Sequence, residues 1–331
     1  MLEQWNHKVF GVNQDGFEAL ALEIFRFQAS QNPVYKEYIQ ALKLDPASVS
    51  SLEQIPFLPV RFFKSHTVQT TSFEPVTIFE SSGTTGSINS QHRVKDMGIY
   101  VDSFTKGFEL FYGPIRDWCI IGLLPSYLER SNSSLVYMMD QLIKLSGHPQ
   151  SRFYLKEYAQ LSTTISELEK AKQKTWLLGV TFALLDFADY YTSVSRGPAF
   201  AHTVIIETGG MKGRREEMIR PEVHAQLQAA FQCDAIHSEY GMTELLSQAY
   251  SVGEGVFNCP PWMKILLRDE EDPFVVQRAG SGTINIIDLA NIYSCSFIAT
   301  DDVGKLRPGG DFEVVGRIDG SDLRGCSLMV V

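Results

Sequence analysis

Residues 79–86, FESSGTTG, end a strand-like run and enter a loop of small and hydroxylated residues. In such a loop the backbone N–H groups can converge on one point and form a nest for phosphate. Gly83 and Gly86 permit unusual backbone angles and close approach of a ligand, while Ser81, Ser82, Thr84 and Thr85 add hydroxyl donors. The same composition also suits a solvated turn, and the spacing is not that of the lysine-bearing P-loop. A second stretch, SEYGMTE at 238–244, closes another strand-like run. Tyr240 offers a flat face for a nucleobase, Thr243 a hydroxyl for phosphate, and Glu244 a hard oxygen for Mg²⁺. The alternative is a helix start, with a threonine cap and an acidic first turn.

Three further turns carry polar groups of the same kind. ETGGMKG (207–213) ends a strand in Gly209 and Gly210, which would let a flat ring lie on the backbone. TDDVGKL (300–306) and GRIDGSDLRG (316–325) place Asp302 and Arg317 where a carboxylate and a guanidinium can meet ribose hydroxyls or phosphate. Each is also an ordinary polar turn. Cys326 reads either as a small apolar residue or as a nucleophilic thiol whose thiolate Arg324 would favour. Cys119, Cys233 and Cys295 read as core, and Cys259, before two prolines, as a loop residue.

The elements that must position these groups alternate along the chain. Asp15 with Glu18 resembles a capping box, and Phe17, Leu20, Ile24 and Phe27 recur at helical spacing until Pro33 divides the segment into two helices. IPFLPVRFFKSHTVQ (55–69) reads as an extended connection. WCIIGLLP (118–125), TWLLGV (175–180), HTVIIETGG (202–210) and CDAIHSEYG (233–241) read as strands separated by helical segments, one of them across 132–146. That alternation predicts parallel βαβ units. Beyond about residue 255 the pattern becomes short strands with Gly and Pro turns. The expected organisation is an N-terminal helical segment over 1–75 packed on the core, an α/β core over 76–254, and a smaller β-rich subdomain over 255–331.

Composition narrows the function classes. The chain has 331 residues, 44% hydrophobic and 21% charged, enough for a large core in about two domains or one large multi-layer domain. A formal net charge of −10 opposes binding to nucleic acid or anionic lipid. No apolar run approaches the roughly 18 residues of a membrane span, and MLEQWNHKVFGVNQDG, with no basic segment followed by an apolar stretch, does not read as a secretory signal. Five scattered cysteines without CxxC spacing fit neither a disulfide framework nor a zinc site, so a reduced cytoplasm is the expected setting.

Taken in order, the hydroxyl/Gly loop, the GG strand end, YGxTE, TxD and GRxD resemble the motif series of adenylate-forming enzymes, over about residues 75–325. ALEIFRFQASQNPVYKEY, IPFLPVRFFKSH, LLPSYLERSNSSLVYMM and the terminal DLRGCSLMVV are similar to the LuxE-type acyl-protein synthetases, relatives of phenylacetate-CoA ligases. The resemblance implies the large N-terminal domain of the superfamily, parallel-rich sheets flanked by helices plus a small β subdomain, without the C-terminal lid. It implies ATP and Mg²⁺ as cofactors. Ser82, Gly83, Thr84, Thr85 and Gly86 would hold phosphates, Gly209, Gly210, Tyr240 and Gly241 the adenine, and Asp302 with Arg317 the ribose. Thr243 and Glu244 would serve catalysis, Glu244 as the metal ligand, and Cys326 would carry the acyl group. Tyr127, Leu128 and His237 would face the acyl substrate, although His237 on its own reads rather as a satisfied structural histidine.

The sequence departs from the superfamily in three places. The lysine that usually closes the phosphate loop is replaced near Ile88 or Asn89, leaving Arg93, Lys95 and His92 nearby. Leu128 stands where many relatives have a histidine, and the lid with its lysine is expected to be missing. The implied function is ATP-dependent activation of a carboxylic, expectedly fatty, acid to acyl-AMP, then transfer to a protein thiol. The implied acceptor is a protein such as an acyl reductase or a carrier protein, with a homo- or hetero-oligomer possible. Alternatives are transfer to CoA or an acyl carrier, or a non-catalytic subunit that binds nucleotide or acyl group.

Overall fold

Prolines and long-range polar partners set the first helices. The structure, a computed structural model, describes residues 2–81, 88–125, 132–194, 197–210, 215–216, 218–269 and 271–318. Helix α1 (Leu2–Phe10) precedes α2 (Phe17–Gln31) and α3 (Pro33–Ala41). Pro33 opens α3 at a position where its missing N–H costs nothing, and the Asn32 side chain caps it by accepting from Tyr35 N. The start of α2 differs from the expected capping box. Gly16 is the N-cap and makes no side-chain bond. Glu18 turns away to Leu52 N at 3.3 Å and to Arg278 at 3.2 Å, so a tertiary partner outcompetes the local one.

The chain then forms β1 (Leu58–Pro59), α4 (Phe62–Ser65), β2 (Thr77–Glu80), β3 (Gln91–Val94) and α5 (Met97–Tyr112). The expected extended connection at 55–69 thus holds a short strand and a helical turn. Next come β4 (Cys119–Leu123), α6 (Ser134–Ser146), β5 (Arg152–Tyr154), α7 (Tyr158–Lys170), β6 (Thr175–Val180) and α8 (Thr181–Val194). They are followed by β7 (Thr203–Thr208), α9 (Arg220–Phe231), β8 (Ile236–Tyr240), β9 (Ala249–Ser251) and β10 (Val256–Asn258). The remaining strands are β11 (Met263–Arg268), β12 (Val276–Gln277), β13 (Gly280–Asp288), β14 (Phe297–Leu306) and β15 (Phe312–Arg317).

The described residues fall into two units, neither continuous in sequence. The first comprises 2–107, 241–249 and 258–318. Its sheet runs β12-β11-β13-β14-β15, antiparallel between β11 and β15, with β1 added parallel to β14 and β2–β3 as a separate hairpin. Two buried amides tie its helices to the segment before β14. Gln28 Nε2 donates to Asn291 O and Ile292 O, each at 3.0 Å, and its Oε1 accepts from Ser296 N at 2.9 Å. Asn32 Nδ2 donates to Ser294 O at 2.9 Å.

The second unit comprises the described residues of 108–240 with 250–257. Its strands run β9-β8-β7-β6-β4-β5, parallel from β8 to β5. Strands β4 and β6 are buried at every position, as expected where helices cover both faces of a parallel sheet. Helices α8 and α9 pack on each other beside β6 to β8. Register pairs Leu123 with Gly179, Gly179 with Glu207 and Glu207 with Ser238, so one edge gathers the carboxyl ends of four strands. In open α/β sheets that edge is where ligands bind. Cys233 lies in the link between α9 and β8, half-buried, and not in a strand as expected.

Candidate active site

In the second unit, Gly209 and Gly210 follow β7 directly and are buried, and Tyr240 ends β8. Gly209 has φ +78°, a conformation any side chain would strain, so the sharp exit from β7 needs glycine there. The Thr181 hydroxyl, at the start of α8 just past β6, donates toward Glu207 Oε2 at 3.1 Å and Gly209 O at 3.3 Å. Glu207 is also bonded by Ser238 Oγ at 2.7 Å and Arg220 Nε at 3.1 Å, with His224 Nε2 at 3.6 Å. Burial pushes its carboxyl up, yet His224, Arg220 and Ser238 bring it down to about 2, so it is an anion. This cluster fixes the ends of three strands together. Tyr240 is 1% exposed, its ring edge-on to Phe257 at 5.9 Å.

On the other face of β8, His237 stacks on Tyr112 at 5.8 Å, with Nδ1 3.3 Å from the phenol oxygen. Burial, and then the charge of His224, depress His237 to about 4, so the imidazole is neutral at ordinary pH. Two residues on, the Glu239 carboxyl bonds the Thr208 hydroxyl at 2.5 Å. Burial raises Glu239 to about 7, opposed by Thr208 and assisted by the charge of Glu207. Its native pKa therefore exceeds the ordinary 4.5 of the unfolded chain. The stability it contributes is complete below about pH 4.5 and is lost as pH rises through 7. Glu239→Gln is expected to gain stability relative to the wild type above pH 7, on the order of 2–3 kcal/mol, but not at pH 5. Parallel pH profiles of the urea midpoints in the two proteins would refute that assignment.

In the first unit, the run after Gly241 is not a helix. Thr243 and Glu244 lie in a turn that leads to β9. The reason is Asp288, at the end of β13, whose buried carboxylate takes Leu246 N at 2.8 Å, Ser247 N at 3.0 Å and Ser247 Oγ at 2.6 Å. It also takes Ala290 N at 3.1 Å. Asn291 Nδ2 donates to Glu244 O at 2.7 Å, and His92 Nδ1 bonds Thr243 O at 2.8 Å. Burial holds His92 near 4 against the pull of Thr243 and Glu244, so it is a neutral donor that fixes the turn. Glu244 is 1% exposed on this clamped backbone.

Asp302 in β14 is opposite Arg317 in β15, and Arg317 Nε donates to Asp302 Oδ1 at 2.8 Å. The pair joins the two residues expected to hold the ribose. Of the cations near the phosphate loop, Arg93 lies in β3 opposite Ile78. Lys95 rests over the Tyr293 ring at 4.2 Å. Ser82, Gly83, Thr84, Thr85, Gly86, Tyr127, Leu128 and Cys326, and Arg324 beside it, lie outside the described residues. Among the described residues no three His, Cys, Asp or Glu side chains form a metal cluster. A single carboxylate on a clamped backbone, such as that of Glu244, has the chemistry to serve Mg²⁺, which draws its other ligands from water and phosphate. Asp288, Asn291, Glu207 and Glu239 gave no signal in the sequence, since each acts through partners distant along the chain.

The model of the family described as Acyl-protein synthetase, LuxE, matches residues 12–331. A Long-chain-fatty-acid–luciferin-component ligase of Vibrio harveyi is 23% identical, covering 92% of this chain and 84% of its own length. The protein of the same description from Aliivibrio fischeri is 22% identical, covering 94% and 86%. Among solved structures, ATP-bound MatB from Rhodopseudomonas palustris superposes with a TM-score of 0.52 at 17% identity, over 72% of this chain and 47% of its own. A long-chain-fatty-acid-CoA ligase, FadD1, from Archaeoglobus fulgidus gives 0.51 at 17% identity, over 73% and 51%. The chain spans about half the length of these solved structures, and the fold is that of the large N-terminal domain of adenylate-forming enzymes. No helix among the described residues is long and apolar enough to cross a membrane. Since the family model covers all but the first eleven residues, the chain belongs to the LuxE family of acyl-protein synthetases.

Proposed function

We propose that this chain activates a carboxylic acid, of the fatty acid class, with ATP and passes the acyl group to a protein thiol. The family match over residues 12–331 carries this reading. It is supported by the strand-end glycines Gly209 and Gly210 and by the clamped turn bearing Thr243 and Glu244. In the first step a carboxylate oxygen attacks the α-phosphorus of ATP, and pyrophosphate leaves with the electrons of the broken P–O bond. Such a displacement depends on positioning and charge neutralisation. The loop hydroxyls and N–H groups of Ser82 to Gly86 hold the phosphates, Thr243 contacts the α-phosphate, and Gly209, Gly210, Tyr240 and Gly241 serve the adenine. Asp302 and Arg317 serve the ribose, and His237, Tyr127 and Leu128 the acyl group. Glu244 would hold Mg²⁺, which when bound neutralises phosphate charge. In the second step a thiolate sulfur, that of Cys326 or of an acceptor protein, attacks the acyl carbonyl, and AMP leaves with the C–O electrons.

The test is acid-dependent ATP–pyrophosphate exchange over fatty acids of graded chain length, together with labelling of precipitated protein by radioactive acid. Exchange plus label on protein without CoA is the expected result. Label found only in a CoA thioester overturns the protein-thiol step, and absence of exchange with every acid overturns activation. Cys326→Ala is expected to keep exchange within about twofold of the wild type while losing the protein label, because the thiol enters only after adenylation. Retained label would assign the acceptor elsewhere.

A further inference from the structure

Strand β14 is interrupted where its polar residues begin. Against β13 the register pairs Ala299 with Asn285 and then Val303 with Thr283. Thr300, Asp301 and Asp302 therefore oppose the single residue Ile284. A bulge of this kind removes backbone groups from the ladder and re-aims the side chains it carries. Something must satisfy the released groups, since buried carbonyls and amides rarely go without partners.

Two side chains do so. The Thr300 hydroxyl donates to Ile284 O at 2.8 Å and accepts from Asp302 N at 3.1 Å. Arg268, at the end of β11 and paired with Thr283, reaches across β13 to the bulge. Its Nη1 donates to Ile284 O at 3.2 Å and to Asn285 Oδ1 at 2.8 Å, and its Nη2 donates to Thr300 O. One guanidinium fork thus holds an acceptor on each side of the irregularity, a geometry that a point charge cannot reproduce. Just past this brace the strand resumes through Gly304, where a Cβ would stand 2.7 Å from Glu313 O and 2.8 Å from Ile284 Cδ1. The bulge is therefore confined between the brace and a position closed to side chains. Asp302, 1% exposed, leaves the bulge facing Arg317.

We propose that Arg268 is a positioning residue for the nucleotide ribose: by bracing the bulge it sets the place of the Asp302 carboxylate that reads the sugar hydroxyls. The inference rests on the ribose role of Asp302 given above. Its signature is discrimination between ATP and nucleotides lacking a ribose hydroxyl, which general damage to the fold leaves unaltered.

The experiment measures kcat/KM in acid-dependent pyrophosphate exchange for ATP, 2′-deoxy-ATP and 3′-deoxy-ATP. The proteins compared are the full-length wild type, Asp302→Asn, Arg268→Met and Arg268→Lys. The wild type is expected to favour ATP over at least one deoxy analogue by about tenfold or more, the size of a hydrogen bond to a charged group. Arg268→Met is expected to bring that ratio to within about threefold of unity, as Asp302→Asn does, and Arg268→Lys to give an intermediate ratio. If Asp302→Asn keeps the wild-type ratio, the ribose assignment itself fails. Should Asp302→Asn lose the ratio while Arg268→Met keeps it and merely turns over more slowly, the bracing role fails alone. Where Arg268→Met does not fold, Arg268→Lys decides, and a ratio equal to the wild type's overturns the proposal.

Discussion

Glu244→Gln is expected to reduce acid-dependent pyrophosphate exchange by a factor of about 10²–10³, the usual cost of removing one preorganised electrostatic group from a charge-forming site. The substitution preserves the shape and the backbone of the turn. Asn291 bonds the Glu244 carbonyl and His92 the Thr243 carbonyl, and neither bond involves the side chain that changes. What disappears is one negative charge on a residue 1% exposed. On the proposed metal role a hard cation would lose its oxygen ligand, while the proposed nucleotide contacts elsewhere would persist. The loss should therefore appear mainly in kcat, with the Mg²⁺ concentration for half-maximal exchange shifted upward. Exchange at the wild-type rate, with an unshifted Mg²⁺ dependence, would remove Glu244 from the metal-binding role.

The second large effect is structural and falls on Asp288. Its carboxylate serves three backbone N–H groups and one hydroxyl, all buried. Asp288→Ala leaves four donors without an acceptor, each costing about 1–3 kcal/mol when unsatisfied, so even with partial access of water the loss is on the order of 4 kcal/mol. That is a large part of the roughly 5–15 kcal/mol that ordinarily separates folded from unfolded chains. Asp288→Asn retains one acceptor oxygen and should lose about half as much. Urea unfolding followed by tryptophan fluorescence measures both, and a shift under about 1 kcal/mol in the alanine variant would show that the turn is held by other means. Any folded Asp288→Ala protein should also exchange pyrophosphate more slowly, since the turn bearing Glu244 would be released.

Much of the fold is written in local runs. TWLLGV lies at 175–180 and forms β6 over those residues, because a short apolar run between turns has few alternatives to a buried strand. HTVIIETGG likewise gives β7. Two of the misreadings share one physical cause, a distant partner that outbids the local one. Glu18 was fit for a capping box but pairs with Arg278. TELLSQ reads as a capped helix start, yet Asp288 takes the N–H groups of Leu246 and Ser247 and turns the chain into β9. At the candidate site, the residue types proposed to meet ligands stand out in the sequence in GG, YGMTE, TDD and GRID. The residues that hold those stretches, Arg268, Asp288, Asn291 and Glu207, do not, because neither spacing nor composition marks a partner tens of residues away.

The two buried amides of the N-terminal helices have a consequence for the order in which the molecule is made. Gln28 is bonded to residues 291, 292 and 296, and Asn32 to residue 294. At about 5–20 residues per second, a ribosome needs on the order of 15–50 s to move from one set of partners to the other. During that interval both amides, and the apolar faces of α2 and α3 beside them, wait without the segment to which they bond. The first unit therefore completes only late in synthesis, once the segment before β14 has been made.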